Sequence, residues 1–446
     1  MSRVLLVGSD RYFAEACVAR GIEVVAARDT SAFRNGMLAF PPEVLQLPVT
    51  SQTDTEAILT APAHADLSLA DFDGVHTNFE YAVVMAAGLA AAAGLPGPGT
   101  GVAVLMRDKH LQKQRLARSG VAVAASKLFW NPPTAASVED MGFPLVLKPV
   151  AGAGTDATTR VEDPDSFRRA VATFYAKSAH RGLLIEQFVE GEEFILDGWI
   201  HDGIIHFSSL GRYAQTCLEA TNLGTALRVF RCSDSTHPDL QERAAKLASE
   251  ALGALGLRSG VFHLEFFRTP DDRLVFGECA ARRGGGLTEE AVLLSHSVSL
   301  AEASVDLCLG ATPKVPQTAP TLEVGDIQPK LPSGVVFDLP RIEDLSAMDG
   351  VEYVRYFTYL GATSAGSPGS SRKPAAAMLV SASTPADLDT RIDQVEEAFL
   401  CGTVVIPNNT PRHMREFQVA ELGRDDLRDR AYVHGKLKTS DGGQDA

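Results

Sequence analysis

Apolar and polar residues follow two different periods along this chain, and the changes between them mark its elements. RVLLVG (3–8) is a short continuous apolar run, which predicts a buried strand. Helical spacing follows from about Arg11 to Arg20, and GIEVVAA (21–27) predicts a second strand. DFDGVHTN (71–78) predicts a third strand, and the alanine-rich run 82–94 a buried helix. This strand–helix–strand order predicts half of a doubly wound α/β sheet, a Rossmann-like domain over residues 1–104. No GxGxxG is present, so a dinucleotide role has little support.

The stretch 107–130 predicts a basic helix, a stop at Gly120 and a strand. Residues 134–178 predict helix, strand, glycine loop, strand and helix, centred on PLVLKPVAGAGT (144–155). Residues 183–201 predict two strands with a short connection, and 203–212 and 225–232 extend them into an antiparallel sheet. A long amphipathic helix is expected at 238–255, and further helices reach about Cys308. The proline-rich TPKVPQTAP (312–320) predicts a boundary. Beyond it, SGVVFDLP, GVEYVRYFTYL and AAAMLVSAS are strand candidates of a small α+β domain, 312–446. SAGSPGSSRKP (364–374) is expected to be a mobile loop, and the terminal KLKTSDGGQDA to be disordered. There is no internal repeat.

Composition narrows the setting. A chain of 446 residues is too long for one core. Its 45% hydrophobic and 22% charged residues describe an ordinary soluble globular protein. A net charge of −15 argues against nucleic acid or an anionic membrane as a partner, while leaving room for a local basic cleft. Cysteines 17, 217, 232, 279, 308 and 401 form no CxxC motif and read as reduced thiols. Cys279 is read as packing, not as a nucleophile. No charged-then-apolar leader opens the sequence, and the alanine run is shorter than the ~20 residues a membrane span needs, so a cytoplasmic protein is expected.

The chemistry concentrates in GVFHLEFFRTPDDRLVFGECAARRGGG (260–286). Thr269-Pro270-Asp271-Asp272 punctuates two apolar runs, which predicts an antiparallel hairpin carrying Glu265 and Glu278. Alternation puts His263 on the face of Glu265, as a substrate-site candidate, although a lone strand histidine is commonly structural. Two carboxylates on facing strands make a hard-oxygen pair suited to Mg²⁺; the alternative is an ordinary acidic hairpin. Arg282 and Gly284, Gly285 and Gly286 follow at once, a guanidinium and bare amides that suit an anion. Arg283 is expected at the surface.

Lys148 ends the apolar strand PLVLKP, and Gly152, Gly154 and Thr155 follow in a glycine loop, together a phosphate cradle or a plain strand end. Lys109 opens the basic helix; it and Arg107, Lys113, Arg115 and Arg118 are expected on a solvated face unless other features recruit Lys109. In LLIEQFVEGEEF, Glu186 stands at the end of a buried strand, where it can accept from an exocyclic amine, and the Phe188–Val189 backbone can meet a flat heterocycle. Glu193 can accept from ribose hydroxyls. Arg212, Tyr213 and Gln215 are expected to line a substrate pocket.

Taken in this order and spacing, Lys109, Lys148 with its loop, Glu186 and Glu193, Glu265, Glu278, and Arg282 with its glycines resemble the ATP-grasp superfamily. The match covers about residues 1–310. The tail with PSGVVFDLP is similar to that of the ADP-forming carboxylate–amine ligases, including L-amino-acid ligases. The resemblance implies a two-lobed fold over 105–311, with lobes about 105–185 and 186–311. It implies that Lys109 and Lys148 bind ATP phosphates under the 151–155 loop, that Glu186 through Val189 hold adenine, and that Glu193 holds ribose. It makes Glu265 and Glu278 ligands of Mg²⁺, with Mn²⁺ as an alternative, and gives Arg282 the acceptor carboxylate and the later oxyanion. Small-molecule acids and amines would be the partners, and a homodimer is compatible with the sequence. One position departs from the family: an Asn metal ligand is usual two residues after the second Glu, and here Ala280 stands there. That leaves the number of metals open. A biotin-carboxylase-like or nucleotide-biosynthesis synthetase, or a degenerate ATP-binding module, are the alternatives.

Overall fold

A computed structural model describes residues 1–30, 40–177, 182–232, 237–315, 322–366 and 374–410. The first sheet is parallel, with strands in the order Leu45–Val49, Glu23–Asp29, Arg3–Val7 and Gly74–His76. The Leu45–Val49 strand is absent from the sequence reading because Pro48 interrupts its pattern. It survives as an edge strand, where a residue without an N–H is tolerated. The alanine-rich helix is Val83–Ala92, buried through Val83, Ala86, Ala87, Leu89 and Ala90.

A second, four-stranded antiparallel sheet runs Ser126–Phe129, Leu183–Gln187, Leu145–Pro149, Thr159–Val161. The helix Lys109–Arg118 leads into it. Asp108 caps that helix by accepting from the His110 and Leu111 amides at 2.9 Å, and Gly120 ends the connection at φ +81°. The helix expected to open the 134–178 segment is a 3₁₀ segment, Ala135–Met141.

The third sheet has eight strands: Leu274–Ala280, Gly260–Arg268, Glu192–His201, Ile204–Tyr213, Leu227–Arg231, Glu323–Gln328, Ala376–Ala382 and Val351–Tyr356. The helix Pro238–Leu255 covers one face. Proline starts it and Gly256, at φ +83°, stops it, matching the sequence expectation. Its apolar stripe, Leu240, Ala244, Leu247, Ala251 and Leu255, packs on Phe194, Phe262, Phe266 and Phe276. We propose 1–104, 105–311 and 312–446 as the divisions of the chain. Hydrogen bonding nevertheless crosses the last division, because Glu323–Gln328 pairs with Leu227–Arg231 and carries two tail strands into the same sheet. Ser333–Asp338 belongs to a separate three-stranded sheet with Thr363–Ala365 and Val404–Pro407. Most of the expected loop 364–374 and all of the expected disordered tail lie outside the described residues. No single helix among the described residues is long and apolar enough to cross a membrane.

Candidate active site

The hairpin forms as its alternation predicts, and Glu265 lies directly opposite Glu278 in the pairing register. A register shift between Glu265 and Phe266 re-aims the strand at this point. Like charges facing one another across a ladder destabilise it unless cations intervene. Lys109 supplies one, with Nζ 3.0 Å from Glu278 Oε2. Burial pushes the Glu278 carboxyl up, but Lys109 and Lys148 outweigh it and hold the group ionised.

Lys148 is partly buried near the end of its strand, and its Nζ lies 3.0 Å from Glu186 Oε2. Lys113 approaches the other oxygen of Glu186 at 3.4 Å and donates to the Gly277 carbonyl at 3.0 Å. A solvated role for Lys113 is therefore corrected: it is 2% exposed. Lys109 and Lys113 are four residues apart and share one helix face, which points both ammonium groups at the hairpin. Arg107 is corrected likewise. It pairs with Glu80 at 2.6 Å and donates to the Ala151 and Gly152 carbonyls at 2.5 and 3.3 Å, clamping the start of the glycine loop. Arg115 and Arg118 do remain exposed. Within the loop Gly154, Thr155 and Ala157 all sit in the left-handed region, φ 59, 53 and 52°. That is costly for a β-branched threonine.

Arg282 pairs through Nε with Glu80 and donates from Nη1 to the Arg283 carbonyl at 2.6 Å. Arg283 is not at the surface, as expected from sequence; it is 3% exposed and pairs with Asp10 and Glu289, the latter at 2.9 Å. Its amide donates to Asn78 Oδ1 at 3.0 Å. The segment after the last parallel strand, Thr77 to Glu80, thus holds both arginines, through Asn78 and Glu80. Polar residues at the C-terminal end of a parallel strand were the available signal for Asn78 and Glu80.

His263 Nδ1 lies 2.7 Å from Asp197 Oδ1, and Nε2 lies 3.4 Å from Glu265. Burial lowers its pKa but Asp197 outweighs that, raising it to about 10, so the ring is an imidazolium at neutral pH and orients Glu265 rather than accepting a proton. Glu193 accepts from the Cys217 amide at 2.6 Å; burial, then the Glu265 charge, pushes its pKa up. Burial likewise pushes the Cys279 thiol up, consistent with packing.

Most of the charged groups above face one cavity of ≈ 420 Å³, though Arg107, Arg283, Asp10, Asp197 and Glu289 do not line it; its size is within the usual range for a small-molecule site. Its lining includes Lys109, Lys148, Gly152, Gly154, Thr155, Glu186 and Phe188. Val189, Glu193, Tyr213, His263, Glu265 and Glu278 line it too, as do Arg282 and Gly284 to Gly286. Arg212 and Gln215, expected beside Tyr213, are not in the lining; Thr216, Cys217 and Leu218 are. Among the described residues no cluster of three or more His, Cys, Asp or Glu could hold a metal alone. A pair of carboxylates fits a cation that takes its other ligands from phosphate and water.

The ATP-grasp domain family matches residues 141–290. An L-arginine-specific L-amino acid ligase of Bacillus subtilis is 25% identical over 293 residues, covering 64% of this chain and 69% of the relative. The crystal structure of an L-amino acid ligase from Bacillus licheniformis superimposes with TM-score 0.75 at 22% identity, covering 92% of this chain and 99% of that one. A carboxyaminoimidazole ribonucleotide synthase from Aspergillus clavatus, complexed with ATP, superimposes with TM-score 0.68 at 17% identity, covering 88% and 97%. Residues 141–290 therefore match the ATP-grasp domain, and the chain as a whole is similar to ADP-forming carboxylate–amine ligases, L-amino acid ligases among them.

Proposed function

We propose that the protein uses ATP to activate a small carboxylic acid, an amino acid in the first instance, and joins it to an amine with release of ADP and phosphate. The observation that carries this reading is the convergence of Lys109, Lys148, Glu265, Glu278 and Arg282 on a single cavity. Lys109 and Lys148 would neutralise the phosphates, and the 151–155 loop would cover them. Glu186, with the backbone of Phe188 and Val189, would hold the adenine, and Glu193 the ribose. Glu265 and Glu278 would hold Mg²⁺, which when bound would supply positive charge to offset that of the transferring phosphates.

The chain's own residues then do the positioning. Among the described residues Arg282 has no hydrogen-bond partner at Nη2, which would take a substrate carboxylate while Glu80 fixes the side chain's orientation. The carboxylate attacks the γ-phosphorus, ADP leaves, and an acyl phosphate forms. The amine adds to that carbonyl, the oxyanion rests against Arg282 and the Gly284–Gly286 amides, and phosphate leaves. Closure of the cavity excludes water, which would otherwise hydrolyse the acyl phosphate. Small acids and amines in a cytoplasmic setting are part of the same reading.

The test is a screen of amino acids for ADP release in the presence of hydroxylamine. A hydroxamate together with ADP is the expected result; AMP release would mean adenylation and would overturn the reading.

A further inference from the structure

One end of the cleft is acidic and has no part in the scheme above. On the sheet face that floors the cleft, Glu265 stands opposite Ile195, Ile195 opposite Gly211, and Gly211 opposite Arg231. One row along, Asp326 stands opposite Val229. Three strands separate that of Glu265 from that of Asp326, a span of about 19 Å at ~4.8 Å per strand. Ile195, Leu227 and Val229 make the floor between them apolar. The glycine turn bridges the distance. A Cβ on Gly284 would fall 2.9 Å from Asp197 Oδ1, and one on Gly286 would collide with the Gln328 amide.

The charges in this corner are unequally satisfied. Asp197 engages both cations, Arg231 at 2.8 Å and His263 at 2.7 Å. Asp326 is 3% exposed and, among the described residues, accepts from Gln328 Nε2 alone, at 2.8 Å to Oδ2. Its Oδ1 has no hydrogen-bond partner among the described residues, and the residue lines the cleft. A carboxylate so buried with one neutral partner is costly unless a ligand completes it.

We propose that Asp326, steadied by Gln328, is a specificity-determining subsite for a positively charged group of the substrate, an ammonium or a guanidinium. This rests on the ligase reading, with the substrate's carboxylate at Arg282 and the glycine turn. The apolar floor accommodates an alkyl stem between the two ends. The cation comes either from the α-ammonium of an amino acid or from its side chain. Burial pushes the Asp326 pKa up to about 6, which still leaves it ionised at neutral pH.

The experiment is calorimetric binding of L-lysine, L-norleucine and 6-aminohexanoate to the wild type, Asp326→Asn and Asp326→Glu, with Mg²⁺ and a non-hydrolysable ATP analogue. Asp326→Asn should bind the cation-bearing ligand about ten- to a hundred-fold more weakly, and Asp326→Glu, which keeps the charge, should recover part of the loss. A loss for lysine and norleucine alone assigns the α-ammonium; a loss for lysine and 6-aminohexanoate alone assigns the side chain. Affinities within about twofold of wild type for all three ligands in Asp326→Asn overturn the proposal. So does a wild type that binds none of them in the millimolar range common for enzyme substrates. Binding that depends on Asp326 without any ADP release would sink the ligase reading and leave the subsite; ADP release indifferent to Asp326 would do the reverse.

Discussion

Replacing Asp326 by Asn should make the empty protein more stable at neutral pH, against the usual effect of removing a buried hydrogen-bonded group. Burial is the main cause of its raised pKa, from the ordinary 3.8 to about 6; the neighbouring Asp197 adds to it, and Gln328 and Arg231 oppose it. The sign follows from proton uptake. Between pH 3.8 and 6 the folded protein binds more protons at this site than the unfolded chain, so stability falls as pH rises through that window and is level above it. At about 1.4 kcal/mol per pH unit the whole fall is about 3 kcal/mol. Asparagine keeps an oxygen for the Gln328 amide and has no charge to desolvate, so it should escape most of that fall. Thermal midpoints of wild type and Asp326→Asn, without nucleotide or amino acid, would be compared at pH 4, 6 and 8. The expected outcome is near equality at pH 4 and a variant several degrees higher at pH 8. A variant that is less stable at pH 8, or a gap that does not change with pH, would refute the reasoning.

Glu278→Gln should abolish ADP release while the thermal transition and circular dichroism remain those of a folded protein. Glu80→Gln, which loosens Arg282 and Arg107 together, should lower kcat/KM for the acid on the order of ten- to a hundred-fold in steady-state assays. Arg283→Met removes the guanidinium that Asp10 and Glu289 share, leaving two buried carboxylates with, among the described residues, only the hydrogen bonds of His76, Phe13, Ser299 and Ala301, and should cost about 3–5 kcal/mol in denaturant unfolding.

Much of the site was legible because its signals are local. A turn between two apolar runs placed Glu265 against Glu278, and a proline after PLVLK placed Lys148 at a strand end. Proline at one end and glycine at the other delimited the helix 238–255. What escaped was set by partners distant in sequence. Arg283 looks like a surface residue beside Arg282 until Asp10, 273 positions earlier, is brought to it. Lys113 looks solvated until the hairpin closes over its helix. Asp326 belongs to the cleft only because its strand joins the sheet beside Leu227–Arg231, across a proline-rich stretch that reads as a boundary. Pro48 hid a strand by breaking its pattern at an edge where such a break is harmless.

The central claim, transfer of the γ-phosphoryl group to a substrate carboxylate in this cavity, is tested most directly by isotope transfer. With an accepted acid labelled in its carboxylate with oxygen-18, mass spectrometry of the products should find one labelled oxygen in the inorganic phosphate and none in ADP. Phosphate free of label, or label in AMP, would contradict it.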